Sequence, residues 1–149
     1  MNVRRFALLA ILLLLTGGLT GCTYVMKTSQ GRKAITKTRN QLQKAETKMA
    51  KDTREKALIL MFLRKDGADV KKAPYPALGQ QISALGKIRK ELKPIAANVD
   101  RLALEYKRTV GKRKKIRSDD KPRWKAVQRI RVQMQAQHRA AESVLKRYQ

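Results

Sequence analysis

Cys22 is the residue whose type and setting point most directly to chemistry, because it is the only cysteine in the chain. A thiol is reactive, but a lone cysteine has no partner for a disulfide within its own chain. Cys22 ends the run Leu19-Thr20-Gly21-Cys22. Upstream of it lie a short basic start, with Arg4 and Arg5, and an unbroken apolar stretch from Phe6 to Leu15. The order of these segments carries more information than the thiol alone.

This order of basic start, apolar stretch and Leu-x-Gly-Cys resembles a bacterial lipoprotein signal peptide with its lipobox. The resemblance covers residues 1–22 only. It implies that the thiol of Cys22 takes a diacylglyceryl group, that the chain is cut before Cys22 so that residues 1–21 are removed, and that the new amine is acylated. In Gram-negative lipoproteins, Asp after the cysteine resembles an inner-membrane retention signal, whereas this chain has Thr23. The resemblance therefore implies the outer membrane, facing the periplasm, if the source is Gram-negative.

Two other interpretations of the N-terminus explain less. An uncleaved membrane helix needs about 20 apolar residues, and the continuous apolar run from Phe6 to Leu15 is half that length. An ordinary secretory signal would be cut after small residues. It would leave Cys22 as a free thiol in an oxidising compartment. Lipidation of Cys22 is therefore the preferred interpretation, and it puts the protein in the cell envelope.

The charge of the chain is extreme, with 36 Lys and Arg against 11 Asp and Glu and a net charge of +25. Such a chain is drawn to anionic surfaces. In an envelope the available anions are phospholipid headgroups, lipopolysaccharide phosphates, cell-wall polymers and acidic proteins. The export signal argues against nucleic acid, and aromatic residues do not alternate with the cations as stacking on single strands requires. The alternative is a solvated charged surface with no dedicated ligand.

Hydrophobic spacing predicts an all-α fold of three long helices. Helix 1 is expected over about 29–65, helix 2 over about 77–110, and helix 3 from Asp119 or Asp120 onward. In helix 2 the apolar residues recur every seven positions, at Leu78, Leu85, Leu92, Val99 and Tyr106. Short connections favour an elongated antiparallel three-helix bundle, coiled-coil-like. Residues 29–149 would be one helical domain on a lipidated tether, residues 22–28.

Pro94 falls inside helix 2, on the side opposite the apolar stripe. We expect a kink there, because proline removes a backbone donor and clashes with the preceding turn. A split into two helices is the alternative. Because the heptad pattern is sustained, a coiled-coil homo-oligomer is also an alternative.

The antiparallel layout predicts two unlike ends. The far end should be well packed and the end near Cys22 looser. The residues expected to pack at the far end are the apolar run Ala57–Leu63 with Leu78, Ile82, Leu85, Val144, Leu145 and Tyr148. The run at 57–63 is interpreted first as core. The alternative is a docking patch for a protein partner, because exposed apolar patches seldom lack a function.

Seven cations between helices 2 and 3 form a candidate anion-binding site. They are Lys107, Arg108, Lys112, Arg113, Lys114, Lys115 and Arg117. The loop that carries them returns to the end where Cys22 is anchored, close to Lys27, Arg32 and Lys33. We expect a basic collar that orients the bundle on the membrane or gathers anionic lipid. The alternative is a loop whose charges only keep it soluble.

Catalytic and metal-binding patterns are poorly supported. The one histidine, His138, has no second ligand at the spacing of a metal site. The pair Asp119-Asp120 is better explained by helix capping, and no serine lies in a nucleophile elbow. We therefore expect a non-enzymatic protein that carries no metal and no cofactor beyond its covalent lipid.

The sequence favours a membrane-tethered scaffold that binds an anionic envelope component or serves as an assembly adaptor. A second class is a periplasmic holdase chaperone. The basic, elongated helices of this chain resemble such chaperones, but in composition only. A third is a phage-encoded or plasmid-encoded lipoprotein acting in lysis or exclusion.

Overall fold

The computed structural model describes residues 23–69, 71–72 and 74–148, so Cys22 and the signal-like segment before it lie outside the described residues. Three helices and two short strands follow one another. They are β1 (Val25–Lys27), α1 (Thr28–Lys65), α2 (Tyr75–Val110), β2 (Lys115–Arg117) and α3 (Lys121–Lys146). None of the helices described is both long enough and apolar enough to cross a bilayer.

The helix α2 is the centre of the bundle. It packs along both α1 and α3, whereas α1 and α3 touch each other at few points. Its seven-residue series accounts for this position, since Leu85, Leu92, Val99 and Tyr106 are buried. Leu102 and Val110 widen the stripe so that it can pack against both α1 and α3, as the broad apolar face of a bundle helix does. The prediction of a three-helix bundle is confirmed.

Pro94 does not divide the central helix. The helix α2 is continuous from Tyr75 to Val110, with Pro94 exposed on its outer side. The alternative of two separate helices is therefore wrong. Exposure accounts for the tolerance of proline, because a backbone carbonyl that loses its helical donor on this side can bond to water.

The packing of the two ends is the reverse of the prediction. Toward the base of the bundle, the end that carries β1 and β2, Val110 is 0% exposed and Val127 is 1% exposed. At the far end the predicted core is open, with Leu58 44%, Ile59 47%, Met61 56% and Phe62 57% exposed. The expectation that the run 57–63 is well packed was wrong, whereas Leu85 and Val144, which were expected at the same end, are buried.

The length of α3 explains this reversal. The helix α1 has 38 residues and α3 has 26. The chain after α3 meets α1 at Asp52, whose carboxylate accepts a hydrogen bond from the Tyr148 hydroxyl at 2.5 Å. Arg147 pairs with Glu91 of α2 at the same level. Beyond Asp52, α1 continues for about 20 Å at 1.5 Å per residue beside α2 alone.

A two-stranded antiparallel ribbon closes the base. Val25 lies opposite Arg117, Met26 opposite Ile116, and Lys27 opposite Lys115. Only the middle pair is buried, so the ribbon presents Met26 and Ile116 to the core and its other side chains to solvent. The predicted tether of residues 22–28 is therefore corrected, because residues 25–28 belong to the folded domain. Among the described residues, the buried apolar side chains lie between Met26 and Val144, so a fragment that starts at Thr23 keeps this core.

The start of α1 is fixed by a close approach to α2. The Tyr106 hydroxyl donates a hydrogen bond to the Thr28 carbonyl at 2.9 Å. The ring reaches this position only because residue 31 is glycine: a Cβ there would lie 2.2 Å from the Tyr106 hydroxyl oxygen. Burial raises the pKa of the Tyr106 phenol, against a smaller opposing effect of Arg32 and Arg131. The phenol therefore stays neutral and can donate.

Gly31→Ala should lower the stability of the domain, although alanine is the better helix former. The added methyl group would displace the Tyr106 ring and break its bond to Thr28, at an expected cost of about 1–3 kcal/mol. Gly86→Ala in α2 is the matched control, since nothing lies within 4 Å of a Cβ there. That change should stabilise the domain by about 0.5–1 kcal/mol. Urea unfolding followed by circular dichroism measures both, and equal effects would contradict the prediction.

The contact between Tyr148 and Asp52 should weaken at high pH. Burial and the hydrogen bond to Asp52 raise the pKa of Tyr148 from 10.0 to about 12. Because the folded state favours the neutral phenol, its contribution to stability is complete below pH 10 and is lost as the pH rises through about 12. The free energy of unfolding of Tyr148→Phe should therefore approach that of the wild type in this range. Asp52→Asn should remove the same contribution to the free energy of unfolding. If the double variant loses the sum of the two single effects, the two residues do not act through one shared hydrogen bond and the prediction is wrong.

Candidate anion-binding site

The basic loop is held by backbone contacts that leave its side chains free. The helix α2 ends at Val110, and its C-cap residue Gly111 has φ of 55° and ψ of −132°, which favour glycine. The Arg32 guanidinium donates to the Gly111 carbonyl at 2.9 Å. The Thr28 hydroxyl lies 2.8 Å from the Arg113 carbonyl oxygen and 3.1 Å from that of Lys114. The loop backbone is thus anchored to α1, and the cationic side chains project from a fixed frame.

The ribbon places two lysines directly opposite each other. Lys27 of β1 faces Lys115 of β2, and both side chains are exposed. Side chains at directly opposed positions of an antiparallel pair have Cβ atoms about 4.5–5.5 Å apart, and like charges there repel. Neither lysine has an acidic partner among the described residues. An anion bound between them would relieve this repulsion.

All seven cations of the predicted site are exposed at or near the base of the bundle. Within the described ranges, six of them form no salt bridge, and Arg117 pairs with Asp119 at 3.2 Å. The neighbouring Asp120 is also neutralised: the Arg123 guanidinium bonds its carboxylate at 2.5 Å and lowers its pKa. Of the two acids close to the loop, Asp119 therefore pairs with one of the seven cations, and Asp120 pairs with Arg123, which is not one of them.

We use the name "basic face" for the seven predicted cations together with Lys27. This surface is broad and exposed. None of its cations is buried in a cleft, so it suits a surface that carries many negative charges better than one small enclosed anion. Because exposed charges are screened by salt, binding at this face should depend on ionic strength.

The sequence interpretation located the cations but missed the residues that position them. Thr28, Met26 and Ile116 form the frame, and none of them was singled out. One signal was present, because Ile116 is a lone apolar residue within the basic run Lys112–Arg117. An isolated isoleucine in such a run indicates a position that points into a core, which is what the structure shows at 2% exposure.

The remaining chemically interesting residues have local partners. His138 Nε2 lies 3.2 Å from the Glu142 carboxylate, and Nδ1 lies 3.4 Å from the Thr38 hydroxyl. It stands at the edge of an open groove of about 290 Å³ between α1 and α3, whose floor includes Ile35 and Met134. Asp120 occupies the N-cap position of α3, but no side-chain cap bond is formed. Among the described residues there is no group of three or more side chains able to hold a metal ion.

Comparison with known proteins gives no relative of this chain. No family model, no curated protein and no solved structure matches it.

Ile116→Ala should loosen the basic face as well as lower stability. Truncating this fully buried side chain should cost about 2–5 kcal/mol, as for other core isoleucines. Residues 23–28 should then become sensitive to a protease that cuts after Lys27. The exposed neighbour provides the control: Lys115→Ala should neither lower the urea midpoint nor raise the cleavage rate at Lys27, because it removes only a repulsive contact. Slow cleavage in the Ile116 variant would show that the ribbon does not depend on the buried pair Met26 and Ile116.

Proposed function

We propose that this protein is a non-enzymatic lipoprotein of the cell envelope whose basic face binds an anionic envelope component. In this proposal the lipid on Cys22 provides the anchor, and the helical bundle acts as a scaffold. The observation that carries the proposal is the opposed pair Lys27 and Lys115, which has no acidic partner among the described residues. The available anions are phospholipid headgroups, lipopolysaccharide phosphates and cell-wall polymers.

The connection between the anchor and the basic face supports this proposal. The Tyr24 backbone N–H donates to the Ser118 hydroxyl at 3.0 Å, and the Ser118 N–H donates to the Tyr24 carbonyl at 2.9 Å. A lipid on Cys22 would thus begin two residues from a point that is bonded to the basic loop. No long flexible segment separates the two, so the acyl chains and the cations would reach the same surface together.

The expected role of the charges is orientation. Each cation close to an anionic membrane contributes about 1 kcal/mol before screening. More than one acyl chain already gives stable anchoring, so the cations are not required for attachment. They instead favour the orientation in which the base of the bundle faces the anionic surface. The same cations would gather anionic lipid around the anchor.

Replacement of the loop cations by glutamine should weaken binding of the unlipidated fragment 23–149 to anionic surfaces. The variant carries Lys112→Gln, Arg113→Gln, Lys114→Gln and Lys115→Gln. Co-sedimentation is measured with phosphatidylcholine vesicles, with vesicles that also contain phosphatidylglycerol, and with cell-wall sacculi, at low and high salt. Affinity for the anionic target should fall about tenfold or more, given about 1 kcal/mol per cation.

The control variant removes the same charge from another part of the surface. It carries glutamine at four exposed lysines along the bundle, Lys44, Lys87, Lys90 and Lys93. This variant should retain most of the binding. Equal losses in the two variants would make the charge a general property of the chain and contradict a localised site. The target retained at moderate salt identifies the ligand class.

A further inference from the structure

The far end of the bundle has a surface that the basic face does not explain. We use the name "hairpin tip" for residues 57–63 of α1 together with residues 75–86 of α2. Although 32% of the chain is charged, neither segment contains a charged residue. Four of the exposed large apolar side chains lie here within five positions, at Leu58, Ile59, Met61 and Phe62. Exposed apolar clusters of this kind mark contact surfaces.

The hairpin tip is exposed because the third helix does not reach it. The helices α1 and α2 still pack on each other there, since Leu60, Leu63, Leu78 and Ile82 are half-buried and the Tyr75 hydroxyl contacts the Leu60 carbonyl at 3.4 Å. The exposed side chains of α1 therefore point away from α2. Their exposure is therefore not caused by a separation of α1 from α2.

The width of this apolar surface indicates its occupant. At about 100° per residue, the exposed positions from Ala57 to Phe62 cover about 200° of the circumference of α1. A helix that packs on one partner helix shows a stripe about 100° wide. A single docked helix would leave much of this surface in water. A bilayer covers every apolar side chain that reaches it, because it is apolar in all directions.

Cations border the apolar surface on both sides. Arg54 precedes Leu58 by four residues, and Lys65 follows Met61 by four, so both lie on the same side of α1 as the exposed apolar side chains. Glu55 precedes Ile59 by four and lies there too, but it pairs with Lys51 at 3.7 Å. Both cations are exposed. Long cationic side chains beside an apolar patch can extend to phosphate groups while their stems cover apolar surface. This combination is typical of segments that lie in the interface of an anionic bilayer.

We propose that the hairpin tip is a second membrane-contacting surface, which inserts the exposed side chains of residues 57–62 side-on into an anionic bilayer. Asp66 follows Phe62 by four residues and so borders the same side of α1, which limits the apolar contact to residues 57–62. A second copy of the chain fits less well, because the net charge of +25 and the bordering cations would oppose association. This surface is separate from the basic face and is tested separately.

A single fluorophore can report insertion. The fragment 23–149 contains no cysteine, since Cys22 is the only one. Met61→Cys carries a polarity-sensitive label, and Val132→Cys on α3, which is 65% exposed, carries the same label as the control. With vesicles of phosphatidylcholine and phosphatidylglycerol the label at residue 61 should shift to the blue and keep that shift at high salt. The label at residue 132 should not shift.

A second comparison tests whether the apolar side chains provide affinity. Leu58→Gln, Ile59→Gln and Phe62→Gln together should lower vesicle affinity at high salt by about tenfold or more. Leu104→Gln with Val132→Gln, two exposed apolar residues away from the hairpin tip, should change it little. Both variants should keep the helicity and melting temperature of the parent. A large loss of stability in the first variant would identify these side chains as core and overturn the proposal.

Three further results would overturn it. They are a label at residue 61 that does not respond to vesicles, equal shifts at residues 61 and 132, and a shift that grows with protein concentration without vesicles, which would identify a second copy as the occupant. The glutamine variant of the basic loop separates this proposal from the previous one. If that variant binds vesicles as the parent does while the label at residue 61 still shifts, binding at the basic face is contradicted and insertion at the hairpin tip is supported.

Discussion

Burial of the apolar stripe of α2 between α1 and α3 holds together a chain whose charges repel one another. With 36 cations against 11 acids, the electrostatic self-interaction opposes compaction. The salt bridges among the described residues lie at the surface, and pairs of that kind contribute little. The opposing attraction must come from apolar burial, and Val99, Leu102, Tyr106 and Val110 supply it on two sides of one helix. The positions of all other elements follow from how far α1 and α3 extend along this stripe.

The two ends of the bundle differ because α1 and α3 differ in length. At the base, α3 and the ribbon complete the core, so Met26, Val110 and Ile116 are buried, while the cations and the side chains of Tyr24 and Val25 are left outside. At the hairpin tip the third helix is missing, so four large apolar side chains within five positions remain outside and charge is scarce. The cations of the basic face and this apolar cluster therefore lie at opposite ends of the bundle. The contacts of the base should be sensitive to salt, whereas those of the hairpin tip should be much less so.

Much of the fold could be predicted from the sequence, because the heptad series of α2 is long and regular. The bounds of the first two helices and the start of the third were predicted to within about two residues, and the cations of the basic loop were named. The packed end could not be predicted, because periodicity shows which side of a helix is buried but not which part of α1 lies beside α3. The ribbon was missed because three-residue strands are too short to show alternation. Gly31 was missed because its role depends on the Tyr106 ring, 75 positions away.

The geometry of α1 limits how both surfaces can act in one molecule. Its 38 residues span about 57 Å, with the basic face at one end and the hairpin tip at the other. If Cys22 carries the proposed lipid, a bundle that stands upright on its base holds the hairpin tip about that far from the anchoring membrane. The proposed side-on contact of residues 57–62 instead requires the axis of α1 to lie along the bilayer surface. Only the flat orientation meets this requirement. It brings both ends to the same bilayer and turns part of the charged length toward the lipid, so the protein should bind vesicles without clustering them.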